Sequence, residues 1–444
     1  MADLCLWEVQ SIDDEDAIPE AHFAGHHKTR GRRATPPWYR QPLCVLTVAR
    51  ISCDSSQRIA EAEALNKFHQ SKKSAAVMKH AIIDQYASPF ASKTGKWSTE
   101  HRVAFIDGYA GPGRYEDGEE GSGAMLLRKA HELADLPRKL ELHFVEDDSE
   151  TVAQLRKVVA AEGADVSTTV TDGNISKELP DLLKQAEGIP LFVYLDPCGL
   201  ILPLDEVARI FDRPRGLGAP ATEVLINLSA SLRRFAGILT IAKPVEGSLR
   251  RIDKVCGGDW WRDAWLNALP DRDAAEAAVV AGYAAKLREH AGGAGTWTID
   301  VRPRADLKPL YYLVFATRHV DGMLAFGESA SLGLEHWRKY HAKLAAEDTL
   351  FGTADAWEED WKAAEAVLKA QWVDTLAERL TNELAKGESF PIIDRTDVIL
   401  GDDLAGVVRT LHLRAAIKKV LEAGRTSTNP RGENDLWRLT LKPA

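Results

Sequence analysis

From Val103 to Leu228, short apolar runs alternate with amphipathic stretches. The runs predict strands over Val103–Asp107, Leu140–Glu146, Ser167–Val170, Leu191–Leu195 and Glu223–Leu228. The stretches between them predict helices over Gly123–Leu133, Ser149–Ala161, Ile175–Gln185 and Leu204–Phe211, and another from Ser231 onward. Strands repeatedly followed by helices build a mostly parallel, doubly wound sheet. Strands that are apolar throughout fit a sheet covered on both faces. Two more helical patterns, Arg58–His69 and Ser74–Tyr86, precede the first strand. After Arg251 the chain turns helical and Trp-rich, with Trp260, Trp261 and Trp265, and the pattern continues through Tyr283–His290. Strand-like segments return at Trp297–Val301 and Tyr311–Ala316, as an antiparallel edge that would complete the sheet. Ser331–Leu384 reads as helix, its Trp337, Trp357, Trp361 and Trp372 as core residues.

The tail has its own pattern. Helices are expected at Val373–Leu384, Asp403–Leu411 and Leu413–Glu422, then a polar loop over 425–432 and a strand over Leu436–Leu441. The fold class is therefore α/β: a Rossmann-like, doubly wound, mostly parallel sheet with a helical insertion and a C-terminal winged-helix-like domain. The expected divisions are an irregular leader (1–60), the Rossmann-like domain (61–330), a helical connector (331–372) and the winged helix-turn-helix-like domain (373–444).

Composition changes this picture little. With 45% hydrophobic and 27% charged residues, the chain reads as an ordinary globular protein, and its length of 444 residues allows two or three domains. A net charge of −10 gives the whole surface no field for non-specific nucleic-acid binding, so such contact needs a local basic patch. The tail offers one. From Arg409 onward there are eight Lys or Arg against three Asp or Glu, and residues 409–442 are the candidate nucleic-acid contact. The leader's His26–Arg33 stretch is a second basic run, read first as part of a mobile leader. Five scattered cysteines without C-x-x-C spacing argue against a disulfide framework or a zinc site and for a reduced, cytoplasmic setting. No metal site and no membrane span are expected.

The chemistry concentrates at strand ends. In open α/β sheets, ligands bind outside the carboxyl ends of the strands. Four acidic residues sit at four such ends: Asp107, Glu146, Asp172 and Asp196. Asp107 opens a glycine-dense loop with Gly108, Ala110, Gly111 and Gly113. Glycine permits positive φ and close approach of a ligand to the backbone. An acidic, glycine-rich cradle suits a cofactor with a ribose, an amino group and a positive centre, which points to S-adenosylmethionine (SAM). Glu146 is placed to accept the ribose hydroxyls, and Asp172 with Gly173 to meet the adenine amino group. A G-x-x-x-x-G-K-[ST] loop is absent, which argues against a nucleoside triphosphatase. Glu146 follows Asp107 by 39 positions, against the ~20 of a dinucleotide site, which weakens the NAD reading. Asp196 and Pro197, in Asp196-Pro197-Cys198-Gly199, form the candidate reaction corner: a carboxylate and a rigid turn that can orient an amine acceptor. Cys198 is read as an inert thiol. His319, after the strand at Tyr311, is read either as lining the same cleft or as a surface group.

These motifs are similar to a known family. IDGYAGPGRYEDGEEGSG, LHFVEDD, LDPCGL, TEVLINLSASLRR and YYLVFATRHVDGM resemble the three-Cys-motif partner proteins over roughly residues 77–323, and the tail is similar to that family's C-terminal module. The resemblance implies a methyltransferase-type Rossmann-like domain, distantly similar to ribosomal RNA adenine-N6 methyltransferases. It also implies a separate partner protein carrying a three-cysteine motif. The family usually has Phe where this chain has Cys198. The expected function is a SAM-dependent methyltransferase-like protein acting on nucleic acid. The alternative is a non-catalytic regulatory component that binds DNA or its three-Cys-motif partner.

Overall fold

The computed structural model describes residues 77–216, 218–241, 245–293, 295–304, 307–347 and 356–444. The expected leader and the helix at 58–69 lie outside the described residues. Helix α1 covers 77–95. There follow β1 (Arg102–Asp107), α2 (Ser122–Glu132), β2 (Lys139–Glu146), α3 (Ser149–Glu162), β3 (Ser167–Asp172), α4 (Ile175–Gln185), β4 (Leu191–Leu195), α5 (Leu204–Phe211) and β5 (Thr222–Ser229). Helices α6 (Leu232–Ala236), α7 (Glu246–Cys256), α8 (Trp260–Ala268) and α9 (Arg272–His290) lead to β6 (Gly295–Val301) and β7 (Tyr311–Thr317). The strands form one seven-stranded sheet, ordered β3-β2-β1-β4-β5-β7-β6. All neighbouring pairs are parallel except those of β7, which runs antiparallel to both β5 and β6. The chain therefore has the mixed α/β, mostly parallel, Rossmann-like fold that its strand–helix alternation predicts.

Period-two alternation divides the strand residues between two cores. Ala104, Ile106, Leu191, Val193, Leu195, Val224 and Ile226 pack with α4 to α9. Val103, Phe105, Phe144, Phe192, Tyr194 and Leu225 pack with α1, α2, α3 and α10 (Val320–Glu347). The same parity places Asp107, Glu146, Asp196 and Asn227 on the α1 side of the sheet edge.

The tail departs from expectation in three places. Helix α11 (Ala356–Leu384) runs unbroken through the expected 372/373 boundary, and its C-terminal half packs into the tail's own core. After β8 (Phe390–Pro391), the second tail helix is α12 (Thr396–Leu404), not Asp403–Leu411; Gly406 at φ +67° turns the chain before α13 (Thr410–Glu422). Most of the expected strand at Leu436–Leu441 is a 3-10 turn, Leu436–Arg438, which the Asp435 carboxylate caps by accepting from the Arg438 N–H. Only β9 (Thr440–Leu441) remains extended, and it pairs with β8.

Candidate functional site

Asp107 ends β1 and lies in register beside Tyr194 of β4. It is 0% exposed. Its Oδ1 accepts the Tyr109 N–H at 3.2 Å, while Oδ2 has no hydrogen-bond partner. Burial pushes its pKa up to about 6 against the pull of Ser122 and the Tyr109 amide. Asn227 Oδ1 is also buried and without a partner, and the buried Tyr194 hydroxyl faces the Asp196 carboxylate.

The glycine loop is held from the neighbouring strand. Gly111 N–H donates to Glu146 Oε2 at 2.9 Å, and the Asp147 and Asp148 amides donate to Oε1. Ala110 N–H donates to the Val145 carbonyl at 3.0 Å. Gly111 takes φ +62°, with open space where a Cβ would point. Gly113 takes φ +80°, and its carbonyl accepts the Gly121 N–H at 2.8 Å, closing off the loop between them. Asp172 lies in register beside Glu146, is exposed, and accepts the Ser149 hydroxyl at 3.0 Å. Gly173 N–H donates to the Glu146 carbonyl at 2.9 Å. The structure thus gathers Asp107, the loop, Glu146 and Asp172 along one edge.

Gly108 has a different role. A Cβ there would lie 2.7 Å from Leu195 Cδ2 and 2.9 Å from Ile175 Cγ1, both core atoms. It makes room for packing beneath the loop rather than for a ligand. Gly108→Ala is expected to lower stability by about 1–3 kcal/mol through overpacking, measured by urea denaturation.

At the reaction corner, Asp196 Oδ1 accepts from Asn227 Nδ2 at 2.6 Å, and Oδ2 accepts from Lys79 Nζ. Burial pushes the Asp196 pKa up, but the Lys79 charge and hydrogen bond and the Asn227 amide outweigh it, leaving it below the ordinary carboxylate value. Burial alone would lower Lys79, yet Asp196 holds its ammonium above the ordinary lysine value. Pro197 is buried and Cys198 is exposed. Beside Lys79, His80 stacks on Tyr115 of the glycine loop, ring centroids 6.2 Å apart. Burial, reinforced by Lys79, lowers the His80 pKa to about 4, so its imidazole is neutral at physiological pH.

Sequence reasoning missed Lys79, His80, Asn227 and Tyr194. A signal for Lys79 existed: with Ile83, Tyr86 and Phe90 it occupies the apolar stripe of α1, where a lysine needs an anionic partner. His319 does not line this cleft. Because β7 runs antiparallel, its C-terminal end emerges at the opposite edge of the sheet. The tail's cations are also largely committed. Arg409 pairs with Glu335, Arg414 donates to the Pro430 and Glu433 carbonyls, and Lys419 and Arg438 pair with Asp374 and Asp321. Arg425, Arg431 and Lys442 stand exposed. Among the described residues, no cluster of His, Cys, Asp or Glu is gathered as for a metal ion, and no helix is long and apolar enough to cross a membrane.

No protein-family model matches the chain, and no curated protein matches it. Solved structures do match at low likeness. A proposed methylase from Haemophilus influenzae is 17% identical over 31% of this chain and 68% of its own, with a TM-score of 0.21. Geranyl diphosphate C-methyltransferase from Streptomyces coelicolor A3(2), in complex with S-adenosyl-L-homocysteine, is 9% identical over 52% of this chain and 75% of its own, TM-score 0.25. The SAH-bound methyltransferase of Podospora anserina is 13% identical over 61% of this chain and 99% of its own, TM-score 0.25. Two further matched chains are covered over 60% and 66% of their lengths.

Proposed function

We propose that this chain is a SAM-dependent methyltransferase-like protein whose acceptor is a nucleic acid or a nucleic-acid-associated molecule. The observation that carries this reading is the row of carboxylates, Asp107, Glu146 and Asp172, that the strand register brings to one edge beside a glycine loop whose Gly111 amide is held by Glu146. The donor set fits the cofactor. Glu146, already oriented by the Gly111 amide, has acceptor capacity for a diol; Asp172 stands one strand away for an exocyclic amine; Asp107 offers a buried carboxylate to a cationic centre. SAM supplies an electrophilic methyl group on a sulfonium. The chain's part is to hold acceptor and donor in line, with Asp196 and Pro197 shaping the corner where the acceptor docks.

Calorimetric titration with SAM and S-adenosylhomocysteine tests the cofactor reading. Transfer of labelled methyl groups to co-purified nucleic acid tests the reaction. The titration carries a pH signature. SAM is cationic, so binding favours ionised Asp107 and lowers its pKa from about 6. Affinity for SAM is therefore expected to rise as pH increases to about 6 and to level off above it. S-adenosylhomocysteine, without the sulfonium, should show a flatter profile. Asp107→Asn should abolish the difference between the two.

A second reading, a non-catalytic regulatory component, is favoured by one observation: both Asp196 oxygens are already taken, by Lys79 and Asn227. SAM binding without methyl transfer to any nucleic acid would select it. On either reading we take the tail as a winged-helix-like module with the exposed Arg425, Arg431 and Lys442 as its phosphate contacts, and a three-Cys-motif protein as the working partner.

A further inference from the structure

At the edge of the sheet opposite the cofactor cleft lies an open groove of about 1230 Å³. Its walls are the end of α1, the loop at 218–221, the start of α10 and the tail turn at 434–438. Its carboxylates are already spent. Asp84 holds Arg128 at 2.7 Å and Lys129 at 3.1 Å. Asp321 and Asp435 clasp Arg438 from two sides at 2.6 and 2.7 Å. Glu223 is buried and takes the Tyr86 and Thr317 hydroxyls, and Glu328 takes the Thr410 amide.

What the groove presents outward is cationic and aromatic. Lys93 and Lys96 are exposed on its lip. Trp97 is 82% exposed, with the Lys96 ammonium 4.7 Å from its ring centroid. An indole so exposed gains nothing for the fold. On the far wall, Trp437 lies with its indole N–H buried and partnerless. A flat ring flanked by lysines, in a groove whose acids are paired with cations or held in hydrogen bonds, combines base stacking with phosphate attraction, the two terms that hold single strands without sequence preference.

We propose that this groove binds single-stranded nucleic acid, with a base stacked on Trp97 and phosphates held by Lys93 and Lys96. Neither the acidic edge residues nor Arg425 and Arg431 line this groove, so it stands or falls independently of methyl transfer.

The test uses the full chain and fluorescein-labelled twelve-residue oligo-dT and oligo-U, read by anisotropy at about 50 and 200 mM salt. Wild type should bind at least one of the two, more weakly at the higher salt, and the pair of probes shows whether DNA or RNA is preferred. Trp97→Ala should weaken binding about tenfold or more, and Trp97→Phe should retain most of it. Lys93→Glu with Lys96→Glu should weaken binding and flatten its salt dependence. Arg250→Glu with Arg251→Glu, exposed on α7 and outside the groove lining, should leave binding unchanged. SAM affinity should be the same in wild type and Trp97→Ala, which separates this result from the cofactor reading. The proposal is overturned if neither strand binds at the lower salt, if Trp97→Ala binds like wild type, or if polyglutamate competes as well as the oligonucleotides do.

Discussion

Glu146→Ala is expected to weaken SAM binding about a hundredfold or more, measured by calorimetry at pH 7. The residue has two tasks at once. Its carboxylate accepts the Gly111 N–H at 2.9 Å and so fixes the turn of the glycine loop, and on the proposed reading its remaining lone pairs take a ribose diol. Each charge-assisted hydrogen bond is worth about 1.5–3 kcal/mol, and losing a pair of them corresponds to roughly a hundredfold or more in affinity. Truncation also leaves the Gly111 amide without its acceptor, which loosens the loop around the cofactor. Glu146→Gln keeps one acceptor oxygen and loses the charge, so about a tenfold loss is expected. Asp172→Ala should have a smaller effect than Glu146→Ala, since Asp172 is exposed and offers a single contact. Unchanged SAM affinity in a folded Glu146→Ala protein would remove the cofactor from this edge of the sheet.

The position of Glu146 was legible in the sequence for a physical reason. Strand residues alternate between faces, so a carboxylate two positions beyond a core aromatic, as Glu146 is beyond Phe144, continues the same face past the end of the core. Asp107 follows Phe105, and Asp196 follows Tyr194 and Phe192, by the same step. The edge that collects the acidic residues, and the face of it they share, therefore follow from local pattern alone. Lys79 did not follow in this way. Its partner lies 117 positions away, and only the packing of α1 across the sheet brings the two together. The tail was harder for a different reason. Its turns depend on single glycines such as Gly406 and on the Asp435 cap, which hydrophobic periodicity does not register, so helix and strand limits there shifted. Composition counts the tail's charges, whereas the fold decides which ones are spent on Glu335, Asp374 and Asp321.

Lys79→Met is expected to destabilise the fold by about 3 kcal/mol at pH 7, because it strands the Asp196 carboxylate in a mostly buried site with only neutral groups, Asn227 and Tyr194, beside it. The double variant Lys79→Met/Asp196→Leu should recover much of that loss, since replacing both members of a buried pair by apolar groups is often neutral. The effect has a pH sign. In the wild type, the folded pKa of Asp196 is depressed, so its contribution is present above the unfolded value of about 4 and is lost as pH falls through the folded value. Without Lys79, burial is opposed by less, and the folded pKa rises above the unfolded one. Ionised Asp196 then costs stability above that raised value and costs nothing below the unfolded one. The gap in Tm between wild type and Lys79→Met should therefore be widest near neutral pH and narrow toward pH 4, followed by circular dichroism. A gap that stays constant with pH would assign the effect to the packing of the lysine stem and not to the ion pair. SAM affinity provides the functional contrast. Lys79 touches Asp196 but not Glu146, Asp172 or the Gly111 amide, yet its charge helps hold Asp107 ionised, so the folded variant should bind SAM within a few fold of wild type well above pH 6 and lose affinity sooner as pH falls, while the corner it vacates becomes open to an amine.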